Sequence, residues 1–152
     1  MKLPYSIEKL NIEDYDRCSN IRDIKNDPYH ECFLKDMERG NRIVYIYKEN
    51  GEFIAEIAMV FEMEDRDYTI PGQRIYLSRL IVKEEYRGQG IGGILLDYMV
   101  KKIREMGYHE ISIGVDKDNA AALHLYRKKG FTTVLYEGAD QYGEYYKLMK
   151  VL

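Results

Sequence analysis

The sequence holds 152 residues, 45% hydrophobic and 32% charged, with 23 Lys and Arg against 26 Asp and Glu. That balance fits one folded domain over residues 1–152 with a core of its own; its mild acidity argues against sequence-independent nucleic-acid binding, which needs surplus cations to neutralise phosphates. No run approaches the roughly 18 apolar residues of a membrane span, the first ten residues carry no signal-peptide core, and Cys18 and Cys32 are too few for a disulfide framework or a zinc site, so both read as reduced packing residues of a cytoplasmic protein.

Residues 3–10 alternate and predict a first strand. Residues 12–24 and 28–38 read as two short helices ending at Gly40, with Pro28 in a first helical turn, where its missing N–H costs nothing. Residues 42–48 (RIVYIYK) are β-branched and aromatic, hence strand. Asn50-Gly51 signals a hairpin, and residues 52–63 return as a long strand. Residues 64–72 are acidic and end in Pro-Gly, a loop. Residues 73–82 form another strand. Ile91, Ile94, Leu95, Tyr98, Met99, Ile103 and Met106 then recur at helical spacing up to Gly107. Residues 111–116 alternate as a strand. Asp118 or Asn119 caps a helix running to Lys129 and closed by Gly130. Residues 131–137 and 142–151 finish the chain as strands. The order β-α-α-β-β-β-α-β-α-β-β predicts a mixed α/β sheet.

Between Val82 and the long helix lies Lys83-Glu84-Glu85-Tyr86-Arg87-Gly88-Gln89-Gly90-Ile91-Gly92-Gly93. The first N–H groups of a helix lack intrahelical partners, and the helix dipole adds partial positive charge there. Glycines let backbone approach a ligand and adopt positive φ. Together these predict an anion site, most naturally for a pyrophosphate. Gly88-x-Gly90-x-x-Gly93 also fits the dinucleotide fingerprint, but five residues separate Val82 from Gly88, where that fingerprint follows its strand at once. The region near Gly107–Glu110, where an acidic ribose partner is expected, falls at the helix end, and too little chain follows for a doubly wound sheet.

Arg87, Gly90 and Gly92 match the Arg/Gln-x-x-Gly-x-Gly/Ala motif that follows the fourth strand of the GNAT superfamily, which this sequence resembles. A second block agrees: Asn119-x-x-Ala122-x-x-Leu125-Tyr126-x-Lys128-x-Gly130-Phe131. The resemblance implies a GNAT-like acyl-CoA N-acyltransferase fold and an acetyl-CoA-dependent N-acetyltransferase without a metal. Backbone groups of Leu80, Ile81 and Val82 would pair with the pantetheine arm. Those of Arg87, Gly88, Gln89, Gly90, Ile91, Gly92 and Gly93 would hold the pyrophosphate. The splay between the strand ending at Val82 and the strand at residues 111–115 would admit the thioester, Asn119 would bond the cofactor arm, and Tyr126 would sit near the sulfur. Edge strands of such folds often pair into homodimers.

The chemistry implied is direct attack of a neutral amine on a thioester in a ternary complex. A phenol with a reference pKa of about 10 can protonate the leaving thiolate, which makes Tyr126 the expected general acid. A backbone N–H near Leu80–Val82 would hold the oxyanion. Residues 75–79 lack the fourth-strand glutamate of some members, so the base is open between Glu56, Glu62, Glu110, Asp116 and a water chain; each carboxylate reads otherwise as a solvated surface group. Glu56, Glu62, Glu64, Asp65 and Asp67 form either an acidic lip for a cationic acceptor or a soluble hairpin surface. Residues 12–39 would shape the acceptor pocket, with Tyr136, Tyr142, Tyr145 and Tyr146 as further lining. Arg127-Lys128-Lys129 would meet the cofactor's ribose phosphate or cap a solvated helix end. His30, His109 and His124 share no metal-site spacing. The acceptor is a small-molecule or peptide amine, and the rival reading is a non-catalytic acyl-CoA sensor on the same fold.

Overall fold

Seven runs of β-branched and aromatic residues become strands in the computed structural model, which describes residues 4–152. In chain order the elements are β1 (Ser6–Lys9), a 3₁₀ segment (Ile12–Asn20), α1 (His30–Glu38), β2 (Arg42–Glu49), β3 (Glu52–Val60), β4 (Arg74–Val82), a 3₁₀ turn (Glu84–Tyr86), α2 (Ile91–Glu105), β5 (Glu110–Asp116), α3 (Ala120–Lys128), β6 (Thr133–Asp140) and β7 (Gly143–Val151). The strands lie in the order β1-β2-β3-β4-β5-β7-β6. β4 and β5 run parallel, while β1–β2, β5–β7 and β6–β7 are antiparallel. The mixed α/β class and the element order expected from the sequence are observed, with the 3₁₀ segment in place of the first helix. Leu3, at the start of the expected first strand, lies outside the described residues.

The chain divides into two compact units, one reaching to Met59 and joined by Arg79–Leu95, the other made of Val60–Ser78 and Leu96–Leu152. In the first unit β2 and β3 meet at Asn50 and Gly51, whose φ angles of 51° and 78° make the turn that the sequence signalled. Its core gathers Leu10, Cys18, Ile24, Met37, Val44 and Ile46. The first predicted helix is instead a 3₁₀ segment that stops at Asn20. Asp14, Asp16, Ser19 and Asn20 favour local side-chain bonds over an α-helical interior, and Asn20 donates to the Phe53 carbonyl at 2.8 Å. Pro28 precedes α1 in a turn rather than lying in its first turn. β3 ends at Val60, three residues earlier than expected, where the Thr69 hydroxyl accepts the Met63 N–H in a turn. Cys32 is exposed and so is not a packing residue; Cys18 is buried.

In the second unit β4 pairs with β5 from Arg74 opposite Glu110 to Leu77 opposite Ile113. β5 pairs with β7 as far as Asp116 opposite Tyr145. Ile75, Leu77, Ile111, Ile113, Phe131 and Leu148 are buried there. Arg74 Nε donates to Glu110 at 3.1 Å and Arg74 Nη1 to the Asp67 carbonyl at 2.8 Å, which fastens the residues before β4 to its first turn of strand.

β3 is buried along nearly its whole length, and a carboxylate sits in its middle: Glu56 is 1% exposed. Arg22 answers it, with Nε on Glu56 at 2.7 Å and Nη1 on Asp27 at 2.7 Å. Burial pushes the Glu56 carboxyl above its usual range against the pull of Arg22, Arg42 and Arg79. Burial also opposes the charge on Arg22, but Glu56 outweighs it and raises that pKa. The surface-carboxylate reading of Glu56 is therefore corrected: the strand's period-two pattern was masked because both of its faces are covered. Removing one partner of such a pair strands the other charge in the interior. Arg22→Met is expected to destabilise the protein by about 3–5 kcal/mol in urea denaturation, and the double change with Glu56→Leu to recover a large part of that loss.

Candidate acetyl-CoA site and its acceptor side

The turn after β4 is anchored from below and open above. Lys83 N–H donates to the Ile54 carbonyl at 2.8 Å, Lys83 Nζ to Glu52 at 2.9 Å, and the Tyr86 hydroxyl to Glu52 at 3.1 Å. These contacts fix where the chain leaves the strand. Arg87 then folds back, its Nε donating to the Val82 carbonyl at 3.0 Å. Residues 87–90 are exposed. Gly88 and Gly90 take φ of 77° and 84°, and a Cβ added to either would meet no atom within 4 Å. Glycine is needed there for its backbone conformation and for clearance on the open side, not for packing. The bond from Ile94 N–H to the Gly90 carbonyl closes the first turn of α2. The N–H groups of Ile91, Gly92 and Gly93 therefore have no partner within the helix, and the dipole makes them an anion seat. Just before this turn β4 leaves extended geometry: Arg79 has φ of 59°, followed by the half-buried Leu80, Ile81 and Val82.

Tyr126 lies on α3 in the second unit, 6% exposed, with its ring 6.2 Å from that of Phe131. Burial, reinforced by Tyr76, pushes its pKa up to about 12. Its hydroxyl takes part in none of the side-chain hydrogen bonds formed among the described residues. Asn119 is the N-cap of α3, its Oδ1 accepting from Ala122 N–H at 3.2 Å, which leaves its amide N–H groups for another acceptor.

The sequence profile of the acetyltransferase (GNAT) family matches residues 6–131. The chain belongs to the GNAT family. It is an acetyltransferase that uses acetyl-CoA as co-substrate. N-alpha-acetyltransferase 30 of Schizosaccharomyces pombe is 27% identical over 130 residues, 85% of this chain and 81% of that protein. Streptothricin acetyltransferase of Streptomyces lavendulae is 32% identical over 83 residues, 51% of this chain and 44% of that protein. A GNAT family acetyltransferase from Elizabethkingia anophelis with acetyl-CoA bound has a TM-score of 0.71 and 21% identity, covering 99% of this chain and 100% of its own.

On the acceptor side of this GNAT the expectations diverge from the structure. Asp65 and Asp67 do not form an acidic lip. They clasp Lys147, whose Nζ lies 2.6 and 3.1 Å from their carboxylates and over the rings of Tyr136 and Tyr68 at 4.6 and 5.2 Å. Of the four late tyrosines, Tyr136 and Tyr145 lie with ring centroids 6.0 Å apart, Tyr146 is over Lys117 and Arg127, and Tyr142 is 72% exposed. Glu110 is engaged by Arg74 and Gln73, Asp116 is exposed, and Glu62 is exposed. In the basic run, Lys129 pairs with Asp97 at 2.9 Å. Sequence reasoning missed Arg22, Asp27, Arg79 and Lys147, none of which belongs to a motif. Among the described residues no group of three or more His, Cys, Asp and Glu could hold a metal ion, and no helix is long and apolar enough to cross a membrane.

Burial opposes the charges of Asp65 and Lys147, yet their contacts prevail: the Asp65 carboxyl is held below its ordinary range and the Lys147 ammonium above its own. A depressed carboxyl adds stability above its unfolded pKa and loses it as pH falls through the folded value. Wild-type stability is therefore expected to fall more steeply than that of Lys147→Met below about pH 4, as read by chemical denaturation at stepped pH. At the anion seat, Gly90→Asp adds a side chain at positive φ and a negative charge among the helix N–H groups. It is expected to weaken acetyl-CoA binding by more than about a hundredfold in calorimetry.

Proposed function

We propose that this acetyltransferase moves the acetyl group to a primary amine by direct attack in a ternary complex, with Tyr126 as the donor to the departing sulfur. The observation that carries this reading is the open, glycine-shaped turn at the start of α2, whose first N–H groups suit an anion; the buried Tyr126 on α3, whose hydroxyl takes part in none of the side-chain hydrogen bonds among the described residues, supports it separately. The pyrophosphate takes the N–H groups across Arg87–Gly93. The pantetheine arm takes backbone groups of Leu80, Ile81 and Val82, and the Asn119 amide donates to it. The N-alpha-acetyltransferase and streptothricin acetyltransferase relatives support an amine on a peptide or small molecule as acceptor. Two free thiols, one exposed, suit a reducing cytoplasm.

The acceptor amine gives up its proton, and its lone pair attacks the thioester carbonyl carbon. A C–N bond forms as the carbonyl electrons move to oxygen. When the oxyanion collapses, the C–S bond breaks and sulfur leaves with the electron pair. A phenol near pKa 12 is a weaker acid than a thiol of about 8.5. Tyr126 therefore keeps its proton through the working range and acts by donating a hydrogen bond to sulfur as charge develops, while the nitrogen, cationic after the attack, releases the proton that neutralises the departing thiolate. Glu56 does not serve as base, because its carboxylate is buried on Arg22. The proton that the ammonium form loses before attack passes to water.

Two results are expected in a thiol-release assay against polyamines, aminoglycosides, amino acids and peptides. Tyr126→Phe lowers kcat by about 10²–10⁴-fold while acetyl-CoA affinity stays nearly constant; an unchanged kcat removes Tyr126 from the chemistry. The wild-type kcat/KM rises with pH as the amine loses its proton, and no falling limb from Tyr126 appears below about pH 11.

A further inference from the structure

Around Glu56 the first unit gathers several charged groups. Arg22, Arg42 and Arg79 all act on that carboxylate, and Asp27 is the second anion of the group. Arg22 takes the short bonds to both anions. The Tyr15 phenol lies beside it, yet Arg22 Nη2 is buried and completes no hydrogen bond of normal geometry among the described residues. Asp27 Oδ1 already accepts the Tyr29 N–H at 2.9 Å, so Arg79 reaches it only at 3.5 Å. Arg42 lies with its guanidinium 3.6 Å from the Phe33 ring centroid.

Arg79 differs from the other two in being reachable. Its side chain is 33% exposed. Its guanidinium is steadied by two rings, 5.4 Å from the Tyr29 centroid and 5.3 Å from that of Phe33. Tyr29 is itself 49% exposed, and its ring stacks on Phe33 at 5.8 Å. Arg79 also holds a left-handed backbone conformation inside a strand, a strained geometry that persists only where surrounding structure enforces it and that gathers at ligand sites. It is the residue next to Leu80, where the segment assigned to the thioester arm begins.

We propose that Arg79, flanked by Tyr29 and Phe33, binds a carboxylate on the acceptor, so that the substrates of this enzyme are amines that carry an acid group. The planar guanidinium matches the two oxygens of a carboxylate, and the exposed Tyr29 ring offers apolar surface to the acceptor's carbon frame. This inference rests on the acetyl-transfer reading above. It replaces the cationic acceptor suggested by the acidic residues 56–67, of which Glu56 is engaged by Arg22 and Asp65 and Asp67 by Lys147. The acid group can belong to a free amino acid or to an acidic residue beside a peptide N-terminus, and the two sources are separable by experiment.

The test measures kcat/KM on two matched pairs: phenylalanine against phenethylamine, and dipeptide amides bearing Glu or Gln at the second position. Wild type is expected to favour the carboxylate-bearing member of at least one pair by tenfold or more, and the pair concerned tells amino acid from peptide. Arg79→Gln is expected to bring that ratio close to one while the Kd for acetyl-CoA stays within about twofold. Arg79→Lys should retain part of the preference. Tyr29→Ala, at an exposed position outside the core, should raise KM for the favoured member, which keeps the test decisive if Arg79→Gln fails to fold. Thiol release with both members of each pair at equal efficiency overturns this proposal alone. Acetyl-CoA binding without thiol release from any amine overturns the acetyl-transfer reading, and this one with it.

Discussion

A carboxylate in the middle of a doubly covered strand sets the terms for the first unit. Glu56 cannot be hydrated, so it requires a cation held at hydrogen-bond distance. Arg22 supplies it from the chain just beyond the 3₁₀ segment, and the same guanidinium reaches Asp27. Asp27 in turn accepts the Tyr29 N–H just before α1. One buried charge thereby dictates the path of the chain from the end of the 3₁₀ segment to the first helix. That path is what brings Tyr29 and Phe33 to Arg79.

The cofactor side is built on a different principle. Its specificity lies in backbone conformation, with side chains only holding the frame. Lys83 and Tyr86 fix the exit from β4 through Glu52, Gly88 and Gly90 supply positive φ, and the first turn of α2 presents unpaired N–H groups. Such a geometry suits an anion by charge and by shape.

This division explains what could be read from the sequence. The glycine turn was legible because positive φ and helix N-termini restrict residue type at fixed spacing. The Asn119 cap, the Asn50-Gly51 turn and the closing Gly107 and Gly130 were legible for the same local reason, and all adopt the expected conformations. The acceptor side was not. Whether Glu56 is solvated or buried depends on what covers β3, and Asp65 and Asp67 are separated by some eighty residues of chain from the lysine that neutralises them. Arg79 in a strand gives no sign of its left-handed backbone. The 3₁₀ segment shows the remaining weakness: apolar spacing at Tyr15, Cys18 and Ile21 reports which face is buried, but not how tightly the backbone coils.

The clasp around Lys147 bears on a hazard peculiar to an enzyme of this chemistry. An acetyltransferase that uses acetyl-CoA carries its own lysines, and only the neutral form of an amine can attack a thioester. Two carboxylates and two aromatic rings favour the charged form of Lys147 and raise its pKa. The contact that fastens β7 to the residues before β4 therefore also biases this lysine against acting as a nucleophile.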